Sequence, residues 1–301
     1  MGTPAFAAPV LEALSHAHRV KLVVTRPDEP KGRGLKLTPT PVKEKALALG
    51  LPVAQPVALK DPAFQDLIAA QKADILVVVA FRILPAALFP LARLGALNIH
   101  GSLLPKYRGA APIQWAIAQG EKETGVTIFR LDAEIDHGEI LARSKTPIGP
   151  EETAGELFAR LSVMGRDLLL ETLAQLEAGT ALPVPQDHTL ATPAPKLKKE
   201  DGLLNWKHSA QTLHDRIRAF NPYPICYTRD TESGRVLRIH RSRMRPGQSE
   251  SGKMIVESGH PCIGTGDGLL ELVEVQWEGG PKVSGVDFIN GLRGTGKLIR
   301  F

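Results

Sequence analysis

Residues 98–109, NIHGSLLPKYRG, say more about the architecture of this chain than any other stretch. The stretch opens as a strand in which Leu97 and Ile99 point to one face while Asn98 and His100 point to the other. An amide beside an imidazole, where a strand gives way to a loop marked by glycine and proline, suits the stabilisation of negative charge on a reacting oxygen. A polar strand exit without a catalytic role is the alternative interpretation of so short a motif.

Strands and helices alternate on the N-terminal side of this stretch. Apolar residues at helical spacing cover 42–49 and 63–71, and the apolar run at 75–80 is typical of a parallel strand buried on both faces. We therefore predict an α/β fold with a doubly wound, Rossmann-like parallel sheet, which binds ligands at the carboxyl ends of its strands. His100 stands at such an end, in a catalytic domain expected to span residues 1–182.

The chain opens in a turn, Met1-Gly2-Thr3-Pro4, that leads directly into helical spacing. An α/β unit normally places a strand before such a turn, so the first strand is expected to be missing. Losing a strand buried on both faces would expose apolar surface at a cost of about 25 cal/mol per Å². We therefore expect the true start of the protein to lie upstream of Met1.

A carboxylate joins the polar pair from a later segment. Asp136 lies between two strand-like runs, at 125–131 and 139–145, in a loop that is expected to fold back over His100. The combined pattern resembles the signature of the 10-formyltetrahydrofolate-dependent formyltransferases. The residues that carry the resemblance are Asn98-x-His100-x-Ser102-Leu103-Leu104-Pro105, Arg108-Gly109, Pro112, the ETGVT run at 123–127 and Asp136-x-Gly138.

The resemblance implies a reaction and its site residues. It assigns catalysis to Asn98, His100 and Asp136, with 10-formyltetrahydrofolate as co-substrate and no metal. The branch of the family that the whole chain resembles formylates the free amino group of methionyl initiator tRNA, for translation initiation. By the same resemblance the folate is bound by four loop residues, Ser102, Leu103, Leu104 and Pro105.

One turn departs from the family pattern. Phe81-Arg82-Ile83-Leu84-Pro85 resembles the family's aromatic-Gly-x-Ile-Leu-Pro turn, but the glycine after the aromatic residue is missing. The backbone path beside the folate site is therefore expected to differ from that of the family.

The proline-rich segment 26–41 is expected to be a long loop without regular structure. Its tip carries three cations, Lys31, Arg33 and Lys36. On the residues alone, a mobile solvated loop is the alternative interpretation. The resemblance implies that this loop contacts the acceptor end of the tRNA, with Arg33 as the basic reader, because arginine offers fork-like contacts that lysine cannot copy.

The excess positive charge lies in the last third of the chain. Residues 196–301 hold 17 Lys and Arg against 12 Asp and Glu, whereas residues 1–195 hold 20 of each. A proline-rich linker is predicted at 183–204, followed by short strands that predict a small OB-like β-barrel at 205–301. The resemblance favours tRNA contacts in this part, although a solvated edge strand explains the arginines equally well. The residues assigned to tRNA are Lys196, Lys198, Lys199, Arg238 and Arg241.

Composition excludes several classes of protein. The longest apolar run, at 75–81, is far too short to cross a membrane, and the two cysteines lack the spacing of a zinc site or a disulfide framework. No export or myristoylation signal opens the chain. We expect a cytoplasmic protein that acts as a monomer, with both cysteines reduced.

Other interpretations stay open. Formyltransferases that act on a nucleotide-linked amino sugar resemble this chain in both parts, but the basic loop and the basic last third argue against that substrate. Glycinamide ribonucleotide formyltransferases share the catalytic trio and lack a second domain of this length. A non-catalytic RNA-binding relative is conceivable because of the missing first strand and the altered turn at Phe81, and the intact trio weighs against it.

Overall fold

The computed structural model describes residues 1–31, 36–293 and 300–301. By its contacts the chain divides into two compact units, the first made of residues 1–112, 124–146 and 158–194, the second of residues 113–123, 147–157 and 195–301. No helix within the described ranges has the length and apolarity needed to cross a membrane. The helices are α1 Ala8–Ala17, α2 Pro41–Ala48, α3 Pro62–Ala70, α4 Pro112–Ala118, α5 Ala154–Glu177, α6 Ala210–Ala219 and α7 Gly285–Arg293. The strands are β1 Val23–Val24, β2 Glu29–Lys31, β3 Lys36–Thr38, β4 Val53–Ala54, β5 Leu76–Val79, β6 Ala96–His100, β7 Arg108–Gly109, β8 Glu123–Arg130, β9 Ile140–Pro147, β10 Pro193–Ala194, β11 Cys226–Arg229, β12 Val236–Arg245, β13 Met254–Glu257, β14 His260–Gly264, β15 Leu269–Trp277 and β16 Lys282–Ser284.

The first unit is the predicted α/β fold with parallel strands. β1 pairs with β4, and β5 pairs with β6, in parallel. β8 then runs antiparallel to β6, and β9 follows β8 in the order β5-β6-β8-β9. His100 is the last residue of β6 and lies opposite Thr127 of β8. The sheet therefore presents His100 at a carboxyl end, as the sequence predicts.

Met1 and Gly2 form an extended segment between β1 and β5. The amide of Gly2 donates to the carbonyl oxygen of Val24 at 3.0 Å, and the amide of Val79 donates to that of Met1 at 2.9 Å. The α-amino group of Met1 donates to the carbonyl oxygen of Val77 at 2.6 Å, and burial lowers its pKa to about 5. These two residues therefore lie between β1 and β5 and are hydrogen-bonded to both.

A cavity of about 670 Å³ adjoins this segment. Residues 19–22, which precede β1, and residues 73–75, which precede β5, help to line it. Residues of both strands also line it, including Val24 and Val79, whereas Asn98, His100 and Asp136 do not. It is not part of the candidate site at His100.

Helices α2 and α3 begin at the caps that their sequences provide. The Thr40 hydroxyl accepts a hydrogen bond from the amide of Lys43 at 3.1 Å, and the Asp61 carboxylate accepts one from the amide of Ala63 at 2.9 Å. A proline follows each cap, where its missing amide hydrogen costs nothing. Both predicted helices are confirmed, each starting and ending one residue earlier than the apolar spacing indicates.

The prediction that residues 26–41 lack regular structure is wrong in part. β2 and β3 pair antiparallel, with Glu29 opposite Thr38 and Pro30 opposite Leu37. Strands this short fit between prolines because each proline removes only its own amide hydrogen from the ladder. Of the three cations at the tip, Arg33 lies outside the described residues, while Lys31 and Lys36 are described only by the backbone pairing of β2 and β3.

The turn at Phe81 forms without the glycine that the family has after the aromatic residue. The residue with positive φ is Ala80, at 46°, and Arg82 is not among the residues with positive φ. The Arg82 guanidinium donates to the carbonyl oxygens of Pro56 and Val57, at 2.6 and 2.8 Å. An L side chain is therefore accommodated at position 82, and it ties the turn to residues 56–57.

The second unit is rich in β-structure. Its sheet has the order β11-β12-β15-β14-β13, with β16 pairing to β15, and its ladders are antiparallel. β12 changes register between Ile239 and Ser242, which marks a bulge. No ladder joins β11 to β13 within residues 195–293 and 300–301, so strand pairing does not close the sheet into a barrel.

A buried ion pair lies on α6. The Arg218 guanidinium and the Asp215 carboxylate approach to 2.6 Å, and both side chains are 4% exposed. Arg218 also donates to the carbonyl oxygens of Gly149 and Glu152, at 3.0 and 3.2 Å. These bonds satisfy the buried charge and attach residues 147–157 to the second unit.

All three tryptophans of the sequence, Trp115, Trp206 and Trp277, belong to the second unit. The Trp206 indole donates to the hydroxyl of Thr228 at 3.0 Å, and the Arg235 guanidinium lies 4.5 Å from the ring centre of Trp277.

Both cysteines are free and buried, as the sequence predicts. Burial raises the pKa of the Cys226 thiol to about 12 and that of Cys262 to about 11. Because the thiolate is the reactive form, both residues are chemically quiet at neutral pH.

Candidate active site

Strand β6 sets the direction of the two polar side chains. Leu97 and Ile99 are buried in the core, at 0% and 3% exposure, so Asn98 and His100 share the opposite face of the strand. β5 and β8 flank β6 on either side. The pair is therefore held by a strand with hydrogen-bonded neighbours on both edges, which is a rigid support for a reacting site.

Both ring nitrogens of His100 lie near oxygen atoms of other residues. Its Nε2 lies 2.8 Å from the carbonyl oxygen of Tyr107, and its Nδ1 lies 3.6 Å from Oδ2 of Asp136. The Phe129 ring meets the imidazole edge-on, with ring centres 6.4 Å apart. Because a carbonyl oxygen only accepts, the first contact requires a hydrogen on Nε2. Nδ1 is therefore the ring atom that can exchange a proton on the side of Asp136.

Asp136 reaches His100 from the loop between β8 and β9, as the sequence predicts. Its side chain is 14% exposed, and Oδ2 also accepts a hydrogen bond from the amide of Gly109 at 2.8 Å. The backbone of Asp136 has a φ of 50°, in the left-handed region that few non-glycine residues adopt. Tyr107, which supplies the other contact to His100, has a φ of 61°. Strained backbone is thus found at both residues that hold the imidazole.

Gly138 explains the glycine of the Asp-x-Gly pattern. A Cβ atom at this position would overlap the carbonyl oxygen of Arg130 in β8. The loop that carries Asp136 can therefore lie this close to β8 only with glycine at 138.

The side-chain amide of Asn98 is half-buried and makes no hydrogen bond with the described part of the chain. An unpaired amide on the face that it shares with His100 can donate to an oxygen of a bound molecule.

The predicted folate residues differ in what they present. Ser102 and Leu104 are buried, at 0% and 1% exposure, whereas Leu103 and Pro105 are half-buried. The Ser102 hydroxyl donates to the carbonyl oxygen of Lys106 at 2.6 Å, which shapes the loop. Leu103 and Pro105 are therefore the side chains of this set that keep surface for a bound molecule.

Thr127 supports the same loop and had no role assigned from the sequence. Its hydroxyl donates to the carbonyl oxygen of Ser102 at 2.7 Å and accepts from the amide of Leu104 at 3.1 Å. The signal was present in the ETGVT run, but a threonine in a strand does not by itself reveal a partner 23 residues away. The carbonyl of Tyr107 was likewise missed, because a backbone contact leaves no mark in the sequence.

The five residues assigned to tRNA in the last third of the chain fall into two groups. Lys196, Lys198 and Lys199 are exposed. Arg238 and Arg241 instead face carboxylates: Arg241 lies 2.6 Å from Glu156, and Arg238 lies 3.8 Å from Glu278. The exposed lysines are therefore the members of this set with the most accessible charge.

No grouping of three or more His, Cys, Asp and Glu side chains that could hold a metal ion is found within the described ranges.

Comparisons with known proteins give the family. The model described as Formyl transferase matches residues 1–173, and the model described as Formyl transferase, C-terminal domain, matches residues 196–293. The chain is 47% identical over 298 residues to a methionyl-tRNA formyltransferase of Solibacter usitatus, covering 98% of this chain and 95% of the relative. It is 42% identical over 309 residues to a methionyl-tRNA formyltransferase of Chlorobium chlorochromatii, covering 100% and 98%.

Solved structures agree at the level of the fold. WlaRD, a sugar 3N-formyl transferase, matches with a TM-score of 0.68 and 18% identity, over 92% of this chain and 95% of that chain. HypX from Aquifex aeolicus, in complex with tetrahydrofolic acid, matches with a TM-score of 0.60 and 20% identity, over 84% and 44%. Two family models that together span most of the sequence, and relatives matched over nearly their whole length, lead to one conclusion: the chain belongs to the methionyl-tRNA formyltransferase family of formyl transferases.

Proposed function

We propose that this chain transfers the formyl group of 10-formyltetrahydrofolate to the free amino group of methionyl initiator tRNA. The observation that carries the proposal is the approach of His100 and Asp136, from two separate segments, at the carboxyl end of β6. Family membership supplies the substrates, and the position of the two side chains supplies a place for the transfer.

Transfer of a formyl group to an amine needs only modest help from catalytic side chains. An α-amino group with a pKa near ~8 is partly deprotonated at neutral pH and can attack a formyl carbon as the neutral amine. Negative charge then develops on the formyl oxygen, and a proton must leave the attacking nitrogen. The site therefore needs hydrogen-bond donors for the oxygen and a group that accepts the proton.

The three polar side chains divide these tasks. Asn98 donates to the oxygen as its charge develops, because its amide is unpaired and shares a face with His100. His100, whose Nε2 hydrogen is held by the Tyr107 carbonyl, assists there through Nδ1, with a proton that it receives on the side of Asp136. Asp136 orients His100 through Nδ1 and helps to carry the proton from the attacking amine to the departing folate nitrogen. The carboxylate is held for this by the Gly109 amide.

10-Formyltetrahydrofolate supplies an activated formyl group when it is bound. Its recognition falls to the loop that follows His100, through the half-buried side chains of Leu103 and Pro105 and the backbone of residues 102–105. Ser102 and Leu104 contribute through the shape of this loop, since their side chains are buried.

The finer features of the protein follow from the same assignment. We place Lys31, Arg33, Lys36, Lys196, Lys198, Lys199, Arg238 and Arg241 on the surface that meets the tRNA. We infer that the strands of the second unit have the OB-like arrangement, that the catalytic part spans 1–182 and the tRNA-binding part 205–301, and that the enzyme works as a monomer in the cytoplasm. The bulge in the long strand β12 supports the OB-like arrangement, since bulges bend strands towards closure.

The central test removes the proposed groups singly. Asn98→Ala, His100→Ala and Asp136→Ala are each expected to lower kcat at least about 100-fold at saturating substrates, because each removes a charge-stabilising or proton-transferring group. His16→Ala, which deletes an exposed imidazole on α1, is expected to keep normal turnover. Near-normal kcat in the trio variants would show that the chemistry occurs elsewhere.

A parallel incubation identifies the acceptor. The wild-type protein is given 10-formyltetrahydrofolate with either charged methionyl initiator tRNA or an amino-sugar nucleotide. Transfer to the tRNA alone is expected. Transfer to the sugar would assign the protein to the other branch, and tRNA binding without transfer would indicate a non-catalytic relative.

A further inference from the structure

Gln186 is a buried polar residue in the predicted linker, and it had no role assigned from the sequence. It follows α5 and precedes β10, in the proline-rich stretch that the sequence presents as a linker, and only 5% of it is exposed. A buried amide is tolerated when its hydrogen-bonding groups are satisfied, so its partners show what it does.

The partners of Gln186 lie in the loop of Asp136. Its Nε2 donates to the carbonyl oxygen of Asp136 at 3.0 Å and to that of Gly138 at 2.8 Å. Its Oε1 accepts from the guanidinium of Arg108 at 2.6 Å. Both hydrogens of the amide are thus used on the two carbonyls that flank His137.

The same segment makes further contacts with this loop. Ile140 and Val184 exchange both backbone hydrogen bonds, each at 2.8 Å. The His188 ring stacks on His137 with centres 4.0 Å apart and planes 2° from parallel, and Arg108 reaches Nδ1 of His188 at 2.8 Å. Residues 184–188 therefore hold the last part of the loop, from Asp136 to the first residue of β9.

These contacts stabilise the backbone conformation of Asp136. A non-glycine residue with a φ of 50° is strained, and such a conformation persists only where the surroundings determine it. Fixing the carbonyl groups of residues 136 and 138 fixes the backbone from which the Asp136 side chain projects. The distance between that carboxylate and His100 Nδ1, 3.6 Å, depends on this backbone.

The geometry points to Gln186 as a positioning residue that holds the Asp136 carboxylate against His100. It acts through Asp136 and not on the substrates. The inference rests on the proposed function of Asp136, and it adds a residue from the stretch that was expected to be a linker.

Two isosteric variants test it. Gln186→Leu removes all three hydrogen bonds, and Gln186→Glu keeps an oxygen for Arg108 while removing the donor to both carbonyls. Each is expected to lower kcat by 10- to 100-fold with the KM of both substrates changed less than about threefold, because a small misplacement of a catalytic group costs rate more than binding. If Gln186→Leu does not fold, Gln186→Glu carries the same comparison.

A control separates positioning from general loss of stability. Ser162 is also buried and donates to the carbonyl oxygen of Phe6 at 2.8 Å, remote in sequence from the loop of Asp136. Ser162→Ala is expected to lower Tm while kcat stays normal. If Gln186 variants lowered Tm without lowering kcat, as this control does, the residue would be purely structural and the inference would be overturned.

A double-mutant cycle links the effect to Asp136. In an Asp136→Asn background, Gln186→Leu is expected to cause no further fall in kcat, since the group that it positions is already disabled. A full additional 10- to 100-fold fall would mean that Gln186 acts elsewhere. Normal turnover of Asp136→Asn alone would overturn the proposed function itself, whereas low turnover of Asp136→Asn with normal turnover of Gln186→Leu would overturn only the role of Gln186.

Discussion

The contacts of His100 show how single residues build the candidate site. Tyr107 and Asp136 both adopt left-handed backbone conformations, and both touch a ring nitrogen of His100. Strain of about 1–3 kcal/mol per residue is the usual cost of such conformations. This backbone strain occurs where two segments converge on the side chain of His100. Such a location is expected of a pre-organised site.

Gly138 provides a prediction at this scale. Gly138→Ala would bring a Cβ into the carbonyl oxygen of Arg130, so the loop must move and Asp136 with it. We expect a loss of about 1–3 kcal/mol in the free energy of unfolding, typical of overpacking, together with a fall in kcat. Urea denaturation and a steady-state formylation assay measure the two effects.

Gly291→Ala is the matched control. Gly291 lies within α7, where a Cβ would meet open space, and alanine favours helix. This variant is expected to be neutral or slightly stabilising. If Gly138→Ala behaved in the same way, the close approach of the loop to β8 would not constrain Asp136.

The residue scale also shows where sequence reasoning stops. Asn98, His100 and Asp136 were found because they sit in a recognisable pattern, and the structure brings His100 and Asp136 together. Gln186 was not found, because its partners are backbone carbonyls 48 and 50 residues away in sequence. A side chain that hydrogen-bonds to the main chain does not require any particular residue type at its partner. Such a contact therefore leaves no pattern in the sequence.

The start of a helix can be predicted from the sequence where a side chain caps it. Helix α5 begins at a capping box of Thr153 and Glu156, two residue types that the sequence shows at the required spacing: the Thr153 amide donates to Glu156 Oε2 at 2.8 Å, and the Glu156 amide donates to the Thr153 hydroxyl at 3.3 Å. The hairpin of β2 and β3 was missed because prolines and glycines conceal a strand whose pairing is local and short. The order of the strands in the second sheet, and so whether it closes into a barrel, could not be predicted either, because alternation along a strand does not say which strands become neighbours.

The start of α5 gives a pH prediction. Hydrogen bonds from the Thr153 amide and the Arg241 guanidinium lower the pKa of Glu156 to about 2, from an ordinary value of 4.5. A carboxylate with a lowered folded-state pKa contributes stability that is present above its unfolded pKa and is lost as the pH falls towards the folded value. Because this side chain is half-exposed, the contribution is at most about 1 kcal/mol.

Glu156→Gln tests this contribution. The variant is expected to be less stable than wild type at pH 6, and the difference should shrink as the pH falls from about 4.5 to about 2. Urea denaturation at several pH values measures it, with Glu171→Gln, at an exposed position in the middle of α5, as the control. A difference that stayed constant over this range would show that the charge of Glu156 does not stabilise the cap.

At the scale of the whole molecule, the net positive charge is concentrated in the last third of the sequence. The excess of Lys and Arg after residue 195 is clear from the sequence, but only the structure shows which cations are already paired. Arg241 and Arg238 face Glu156 and Glu278, so part of the basic character of β12 serves the fold.

The exposed lysines supply the last prediction. Replacing all three by glutamine is expected to raise the KM for tRNA and to reduce the dependence of tRNA binding on salt, by about one unit of slope for each phosphate that is no longer neutralised. The KM for the folate should stay unchanged. Filter binding across a range of salt concentrations measures the slope for the triple variant of Lys196, Lys198 and Lys199.

A matched triple variant controls for the loss of charge. Lys21, Lys60 and Lys72 are exposed lysines of the first unit. Their replacement by glutamine should leave both the KM for tRNA and the salt slope near the wild-type values. Equal effects of the two triple variants would indicate attraction to the net charge of the protein and not a defined tRNA surface.

The placement of the tryptophans has a practical consequence for anyone who unfolds this protein. Intrinsic fluorescence, which Trp115, Trp206 and Trp277 dominate, comes from side chains of the second unit, while the unit that carries His100 and Asp136 has no tryptophan of its own. If turnover is lost during denaturation while the tryptophan emission stays constant, the unit that carries His100 and Asp136 has unfolded before the second unit.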